Sequence, residues 1–175
     1  MQVTFASSVG PILSLEHAIT RVALTNADDT GRASTGEDDE KASSGQMGRK
    51  MTIPYAVYVA RGFVSAHLAA DTGFDDDDLA LLWKSLVQMF EFDRSASRGQ
   101  MSARGLYVFK HASKLGNAAS HALQDRVSVI RKDAAKPVRG FEDFVMKVDR
   151  DKLPTGVELI EVNCTEFDTK PAGNG

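Results

Sequence analysis

Apolar and polar positions along the chain change period several times, and each change marks an element. Val3 to Ser7 alternates apolar with small side chains and predicts a short strand, closed by Gly10-Pro11. His17 to Thr25 alternates again, with Ala18, Thr20, Val22 and Leu24 on one face and His17, Ile19, Arg21 and Ala23 on the other, and predicts a second strand. The longest run, Ile53 to Ser65, puts Tyr55, Val57, Val59 and Arg61 on one face and Ala56, Tyr58, Ala60 and Gly62 on the other. It predicts a strand starting near Pro54, with small residues leaving room for a packed helix or a close backbone.

The period then lengthens. Leu79, Leu82, Trp83, Leu86, Met89 and Phe90 recur at helical spacing and predict an amphipathic helix, Asp76 to Phe92, with one buried stripe. Asp75 to Asp78 supply an N-cap and first-turn carboxylates, which satisfy exposed N–H groups and the positive end of the helix dipole. A hard-cation site is the other reading of four aspartates. Consecutive residues at a helix start point in different directions, however, and the spaced loop with its glycine is absent.

Downstream, Arg104 to His111 predicts another strand. Ser120 to Lys132 reads as helix through HALQDRV or as strand through VSVIRK. Phe141 to Val148 and Val157 to Val162 predict two strands, joined by the turn Leu153-Pro154-Thr155-Gly156. Strand 53–65, helix 76–92 and strand 104–111 make a βαβ unit. With two strands before it and two after, the expected class is α+β, a mixed sheet with the helix packed on one face.

One segment has neither period. Asn26 to Gly48 is dominated by Gly, Ser, Thr, Asp and Glu, with Met47 its only large apolar side chain and six carboxylates, Asp28, Asp29, Glu37, Asp38, Asp39 and Glu40, against Arg32 and Lys41. Such a stretch cannot bury enough surface to order itself, so a long excursion from a β-ribbon is expected. Met47-Gly48-Arg49-Lys50 at its exit differs: a flexible apolar side chain followed by two cations suits a wedge beside a base and a grip on phosphates.

Composition adds three bounds. At 175 residues with 42% hydrophobic side chains, one soluble globular domain is the expectation. A lone cysteine, Cys164, excludes an intramolecular disulfide and an all-cysteine metal site, and fits a reducing compartment. The first positive side chain is Arg21 and no apolar run approaches the length of a membrane span, so the expected location is cytoplasmic, without a membrane partner.

Charge changes the picture more. The chain carries a formal net charge of -3, yet the segment from Arg94 to Gly140 holds ten Lys or Arg against two acids, Asp125 and Asp133, a local charge of +8. Its first part, DRSASRGQMSARGLYVFKHASKLG, combines Arg94, Arg98, Arg104, Lys110 and Lys114 with small residues. Ser95, Ala96, Ser97 and Gly99 let main-chain N–H groups approach phosphate oxygens. Tyr107, Phe109 and His111 share one strand face. The two aromatics read first as core side chains, with base stacking as the alternative.

Catalytic patterns are sparse. The chain has no Gly-x-Ser-x-Gly elbow, no Gly-x-Gly-x-x-Gly and no Gly-Lys-Ser or Gly-Lys-Thr phosphate loop, and its histidines, His17, His67, His111 and His121, lack ligand spacing. No metal or other cofactor is therefore expected. His111, beside Lys110 and near Lys114, is the one candidate for a general base on an RNA 2′-hydroxyl.

The runs TFASSVGPILSLEHAITR, MGRKMTIPYAVYVARGFVSA, MFEFDRSASRGQMSARGLYVFKHASKLGNAASHAL and LPTGVELI closely resemble the backbone subunit of type I-C CRISPR surveillance complexes (Cascade), RAMP-superfamily proteins. The resemblance runs to about Val162. It implies an RRM/ferredoxin-like palm with an extended thumb hairpin, and an incomplete domain, since family members begin with further sequence before the point matching Met1. Palm strands would occupy 1–25, the thumb 26–50, the rest of the palm with its basic groove 51–162, and a flexible tail 163–175.

The implied role is non-enzymatic. Copies of the subunit polymerise along the guide RNA, in contact with other Cascade subunits, and meet target DNA indirectly through guide pairing. Met47, Arg49 and Lys50 would lie at the thumb base, with Arg21 on the strand before it. Arg94, Ser95, Arg98, Lys110, His111 and Lys114 would line the groove. The alternatives are an RNA-processing endoribonuclease of the same superfamily using His111, and a protein-interaction fragment without RNA affinity.

Overall fold

The computed structural model describes residues 1–21, 46–95 and 99–165. The expected excursion from 26 to 45, the strand end at 22–25, Arg98 and the tail from 166 lie outside the described residues. The chain divides into two compact units. One comprises Met1–Phe5, Ala60–Ile130 and Val145–Gly175, the other Ala6–Val59 and Arg131–Phe144.

In the first unit, strand β1 (Gln2–Val3) pairs antiparallel with a later strand (Gly62–Phe63). Thr4 extends the pair: its N–H donates to the Arg61 carbonyl at 2.8 Å, and its hydroxyl accepts from the Arg61 N–H at 3.3 Å. In the second unit, β2 (Ser7–Ser8) pairs with β5 (Tyr58–Val59), and β3 (Leu15–Arg21) forms a seven-residue antiparallel ladder with β4 (Gln46–Thr52). The Gly62–Phe63 strand is accordingly β6.

The continuous strand expected from Ile53 to Ser65 is therefore two short ones, β5 and β6. Pro54 has no N–H to offer a ladder, and the partners of this run arrive as two separate pieces, β1 and β2. The chain also passes from one unit to the other between Val59 and Ala60, and between Phe5 and Ala6, so each half follows its own partner.

Two helices follow β6. Helix α1 (Ala66–Thr72) has Ser65 as its N-cap, whose hydroxyl accepts from the Leu68 N–H, and ends on Gly73 in the left-handed region at φ 72°, the usual use of a glycine past a helix end. Helix α2 (Asp76–Phe92) has the expected bounds. Asp75 Oδ1 accepts from the N–H groups of Asp77 and Asp78, and Asp78 Oδ2 accepts from the Asp75 N–H. The aspartates thus form a reciprocal cap. Val87 is buried and Leu79, Leu82, Trp83, Leu86 and Phe90 are half-buried, whereas Met89 is exposed. The buried stripe is rotated from the expected one toward the Leu79, Trp83, Val87 row.

The rest of this unit is a second ladder and a connected hairpin. β7 (Leu106–His111) pairs antiparallel with β10 (Val157–Val162) over six residues. Helix α3 (Ser120–Gln124) buries Leu123, and β8 (Val127–Arg131) pairs with β9 (Phe144–Val148). The ambiguous stretch 120–132 is thus both helix and strand. Phe141–Asp143, read as strand, is a single 3₁₀ turn, because Asp143 folds back to accept from the N–H groups of Arg139 and Gly140. The turn at 153–156 does not make a hairpin of its flanking strands, since β9 and β10 have different partners.

Among the described residues the strands pair two by two in five sheets, in place of one mixed sheet, and β7 joins neither β5 nor β6. The class is α+β. Buried apolar side chains among the described residues are few: Val87 and Leu123 in the first unit and Phe144 in the second, where its ring lies 6.4 Å from that of Tyr55. No helix among the described residues is long and apolar enough to cross a membrane.

Candidate nucleic-acid interface

The β3/β4 ladder sets the geometry of the first group of candidates. Its register pairs Ala18 with Arg49, His17 with Lys50, Thr20 with Met47 and Arg21 with Gln46. Alternation along a strand then places Lys50 and Arg49 on opposite faces of the ladder, so these two cations do not share a surface. Arg49 is exposed and its Nε lies 3.2 Å from Glu16 Oε1, its diagonal neighbour across the ladder, in a solvated pair worth at most about 1 kcal/mol. Such a pair yields readily to a phosphate. On the opposite face His17 Nε2 is 2.9 Å from Thr52 Oγ1, so that histidine is occupied within its own ladder.

In the other unit, Arg94 follows the last turn of α2 and folds back onto it. Its Nε donates to the Glu91 carbonyl at 3.1 Å and its guanidinium reaches Glu91 Oε2 at 2.7 Å. A cation here complements the negative helix end and caps an otherwise free carbonyl. Both side chains remain solvated, so Arg94 can exchange Glu91 for another anion. The following loop is pinched by a bridge between Ser95 and Gly99, with the Gly99 N–H donating to the Ser95 carbonyl at 3.1 Å and Gly99 at φ 66°. That N–H is thereby committed within the loop.

Strand β7 carries the third group. Tyr107, Phe109 and His111 share a face and are half-buried. Lys110, on the opposite parity, is exposed and sits across from Glu158. The Tyr107 hydroxyl lies 3.1 Å from Glu161 Oε1 and 2.8 Å from Met146 Sδ, which fixes the tip of the ring across the ladder. Burial, then the Glu161 hydrogen bond and charge, push its pKa above the ordinary tyrosine value.

His111 ends the strand and opens the loop 112–117. Asn117 organises that loop: its Oδ1 accepts from the Ser113 N–H at 2.9 Å, and its own N–H donates to His111 Nδ1 at 2.9 Å. The Ala112 N–H donates to the Gly156 carbonyl at 2.8 Å, and the Gly116 N–H to the Ser113 carbonyl at 2.9 Å. Lys114 and Leu115 are displayed on this closed turn, Leu115 being 89% exposed. Gly116-Asn117 spells a simple turn in the sequence. The available signal for more was an Asx side chain near a histidine, since such side chains bond neighbouring backbone.

Other chemistry is thin. No group of three or more His, Cys, Asp or Glu able to hold a metal occurs among the described residues. Cys164 is half-buried and burial pushes its thiol up, away from the reactive thiolate. In the second unit, the loop between β8 and β9 encloses a cavity of about 190 Å³ lined by Lys132, Asp133, Lys136, Pro137 and Asp143, with Lys136 Nζ 3.4 Å from Asp133.

An α+β chain with exposed cations on a β-ribbon, at a helix end and on a closed loop has the makings of a polyanion-binding protein. The chain belongs to a particular family of that kind: residues 1–149 match the model of CRISPR-associated protein Cas7. Membership implies a CRISPR-associated RNA-binding backbone subunit, in a family whose members are generally structural. No curated protein matches the chain.

Proposed function

We propose that this chain is the guide-RNA-coating backbone subunit of a cytoplasmic type I-C Cascade, a structural protein that polymerises along CRISPR RNA. The family match over residues 1–149 carries the reading. The long runs quoted above, in the family's order, favour the type I-C branch, with an RRM-like palm and a thumb spanning 26–50. Each copy covers a short stretch of guide, grips the phosphates and leaves the bases to pair with target DNA, so that sequence specificity belongs to the guide. Neighbouring copies and the other Cascade subunits are its protein partners.

The exposed cations support this role. Arg49 and Lys110 stand on paired strands and Lys114 on a hydrogen-bonded turn, while the Arg94 side chain is held against the end of α2, so a phosphate contact at each orders little new structure. Arg21, Met47, Lys50, Ser95, Arg98 and His111 complete the proposed contact set.

A salt-series titration of the full chain against single-stranded RNAs of increasing length tests the reading. Complex mass rising in regular steps with length, with affinity falling steeply as salt rises, is the expected result. RNA that stays unbound at low salt, or is cleaved by purified chain with loss of cleavage in His111→Ala, overturns it.

A further inference from the structure

The hydrogen bond from the Asn117 N–H to His111 Nδ1 decides which ring nitrogen holds the proton. A backbone N–H can only donate, so Nδ1 must present its lone pair, and a neutral imidazole then carries its hydrogen on Nε2. The arrangement is built, since three further bonds hold Asn117 in place across a six-residue turn. Ser113 donates to Asn117 Oδ1, Leu115 donates to Ser113 Oγ at 3.3 Å, and Gly116 donates back to Ser113. Gly116, at φ 90°, brings its Cα side against the ring, where an added Cβ would lie 3.7 Å from Nδ1. Gly156 opposes the amide of Asn117 so closely that a Cβ there would meet Nδ2 at 2.6 Å. The histidine therefore faces a fixed donor on one side.

Nε2–H has no hydrogen-bond partner among the described residues, and the ring is half-buried. This donor is open to solvent, and an acceptor from outside can replace water on it. From Arg94 to Gln124 the sequence holds no carboxylate, while Lys110 and Lys114, both exposed, flank the ring in sequence. The nearest acid on the ladder is Glu158, opposite Lys110 on the other strand face. An anionic oxygen is thus the fitting acceptor.

We propose that His111 is a neutral, tautomer-fixed hydrogen-bond donor to a phosphate oxygen of bound RNA, with Asn117 as its positioning residue. This rests on the RNA-binding reading and deepens it. It also answers the alternative of a nuclease base. A base must take a proton on a ring nitrogen, but here one lone pair is engaged by Asn117 and the other nitrogen already carries hydrogen. The group that looked catalytic in the sequence is wired to donate.

Two measurements on the full chain test this. Ring nitrogen resonances of the RNA-free protein in mildly alkaline buffer should show His111 with Nε2 protonated and Nδ1 bare. Asn117→Ala should mix the tautomers, and Asn117→Asp, which keeps the acceptor for Ser113, should restore the single form. A proton on Nδ1 in the unaltered chain overturns the proposal. The second is titration with oligouridylate and with oligoadenylate. His111→Ala should weaken both by about fivefold to tenfold, and His111→Gln, which returns an N–H near Nε2, should recover most of that. The salt slope should stay unchanged in both variants, whereas Lys114→Ala should lower it by about one.

Undiminished binding by His111→Ala, a slope that falls as it does for Lys114→Ala, or a loss confined to one homopolymer each overturns the phosphate-donor role while RNA binding stands. Failure of the unaltered chain to bind either RNA overturns the RNA-binding reading itself, and the tautomer measurement then reports on the ring alone.

Discussion

Tyr107 and Glu161 face each other across the β7/β10 ladder, with the phenol oxygen 3.1 Å from Glu161 Oε1. Arg150 bonds the other carboxylate oxygen, so the glutamate ties the phenol to a cation from outside the ladder. Tyr107→Phe removes one hydrogen bond and should lower stability by about 0.5–1.5 kcal/mol in a denaturant titration. The pH dependence has a definite sign. Because the folded phenol ionises above the ordinary value, its contribution is complete below that value and is lost as pH rises through the folded one. Thermal melts at rising alkaline pH should therefore converge for Tyr107→Phe and the unaltered chain.

Asp75 is the next test. Substitution by Ala strips two first-turn N–H groups of their acceptor and leaves Asp78 without its reciprocal bond. A loss of about 0.5–2 kcal/mol is expected, with the helical signal of α2 fraying from its start. Asp75→Ser, which retains a cap oxygen, should lose distinctly less.

Asp143 holds the loop between β8 and β9 by accepting from Arg139 at 2.8 Å and Gly140 at 3.3 Å. Those two bonds, against a small opposing effect of burial, hold its carboxyl below the usual aspartate value. Its contribution is then present above the unfolded carboxyl's pKa and disappears as pH falls through the folded one. Asp143→Asn should melt lower than the unaltered chain at neutral pH, and the gap should close in strong acid. A gap that persists in acid would place the cause outside this carboxylate.

Leu123 is 2% exposed. Leu123→Ala should cost about 2–5 kcal/mol by lost burial and a residual cavity, the largest single effect expected among apolar positions of this unit. Leu115→Ala, at 89% exposure, should be neutral in the same denaturant series.

Gly156→Ala sets two costs together. The residue has φ 79°, where a side chain is strained, and its Cβ would overlap the Asn117 amide at 2.6 Å. Destabilisation above about 1 kcal/mol is expected. Pairing it with Asn117→Ala should relieve only the steric part, which a double-mutant cycle reads directly.

Helix α2 was legible to the residue because its signals are local: four aspartates for the cap and a 3.6-residue apolar period behind them. Helix α1 was not predicted, because none of its residues is buried and no apolar stripe announced it. The run 53–65 misled for the opposite reason. Its alternation reports which side chains face together, not whether one partner strand runs alongside, and β1 and β2 divide that role.

The site divides in the same way. Lys110, His111 and Lys114 were legible as a cationic cluster around a strand end. That Arg49 leans on Glu16, and Arg94 on Glu91, depends on register and on a helix end, which charge counting does not see. Asn117's hold on the imidazole needs the whole turn closed before it exists.

That closed turn has a kinetic meaning. Ala112, Ser113, Leu115, Gly116 and Asn117 each spend their N–H inside the protein, so the loop's shape is set when the chain folds. In the proposed RNA-binding role, an RNA strand meeting it would find no slow rearrangement to wait for. Capture at this point is expected to run at the pace of encounter, hastened by Lys110 and Lys114 at low salt, and how long each nucleotide stays is left to the strength of the contacts themselves.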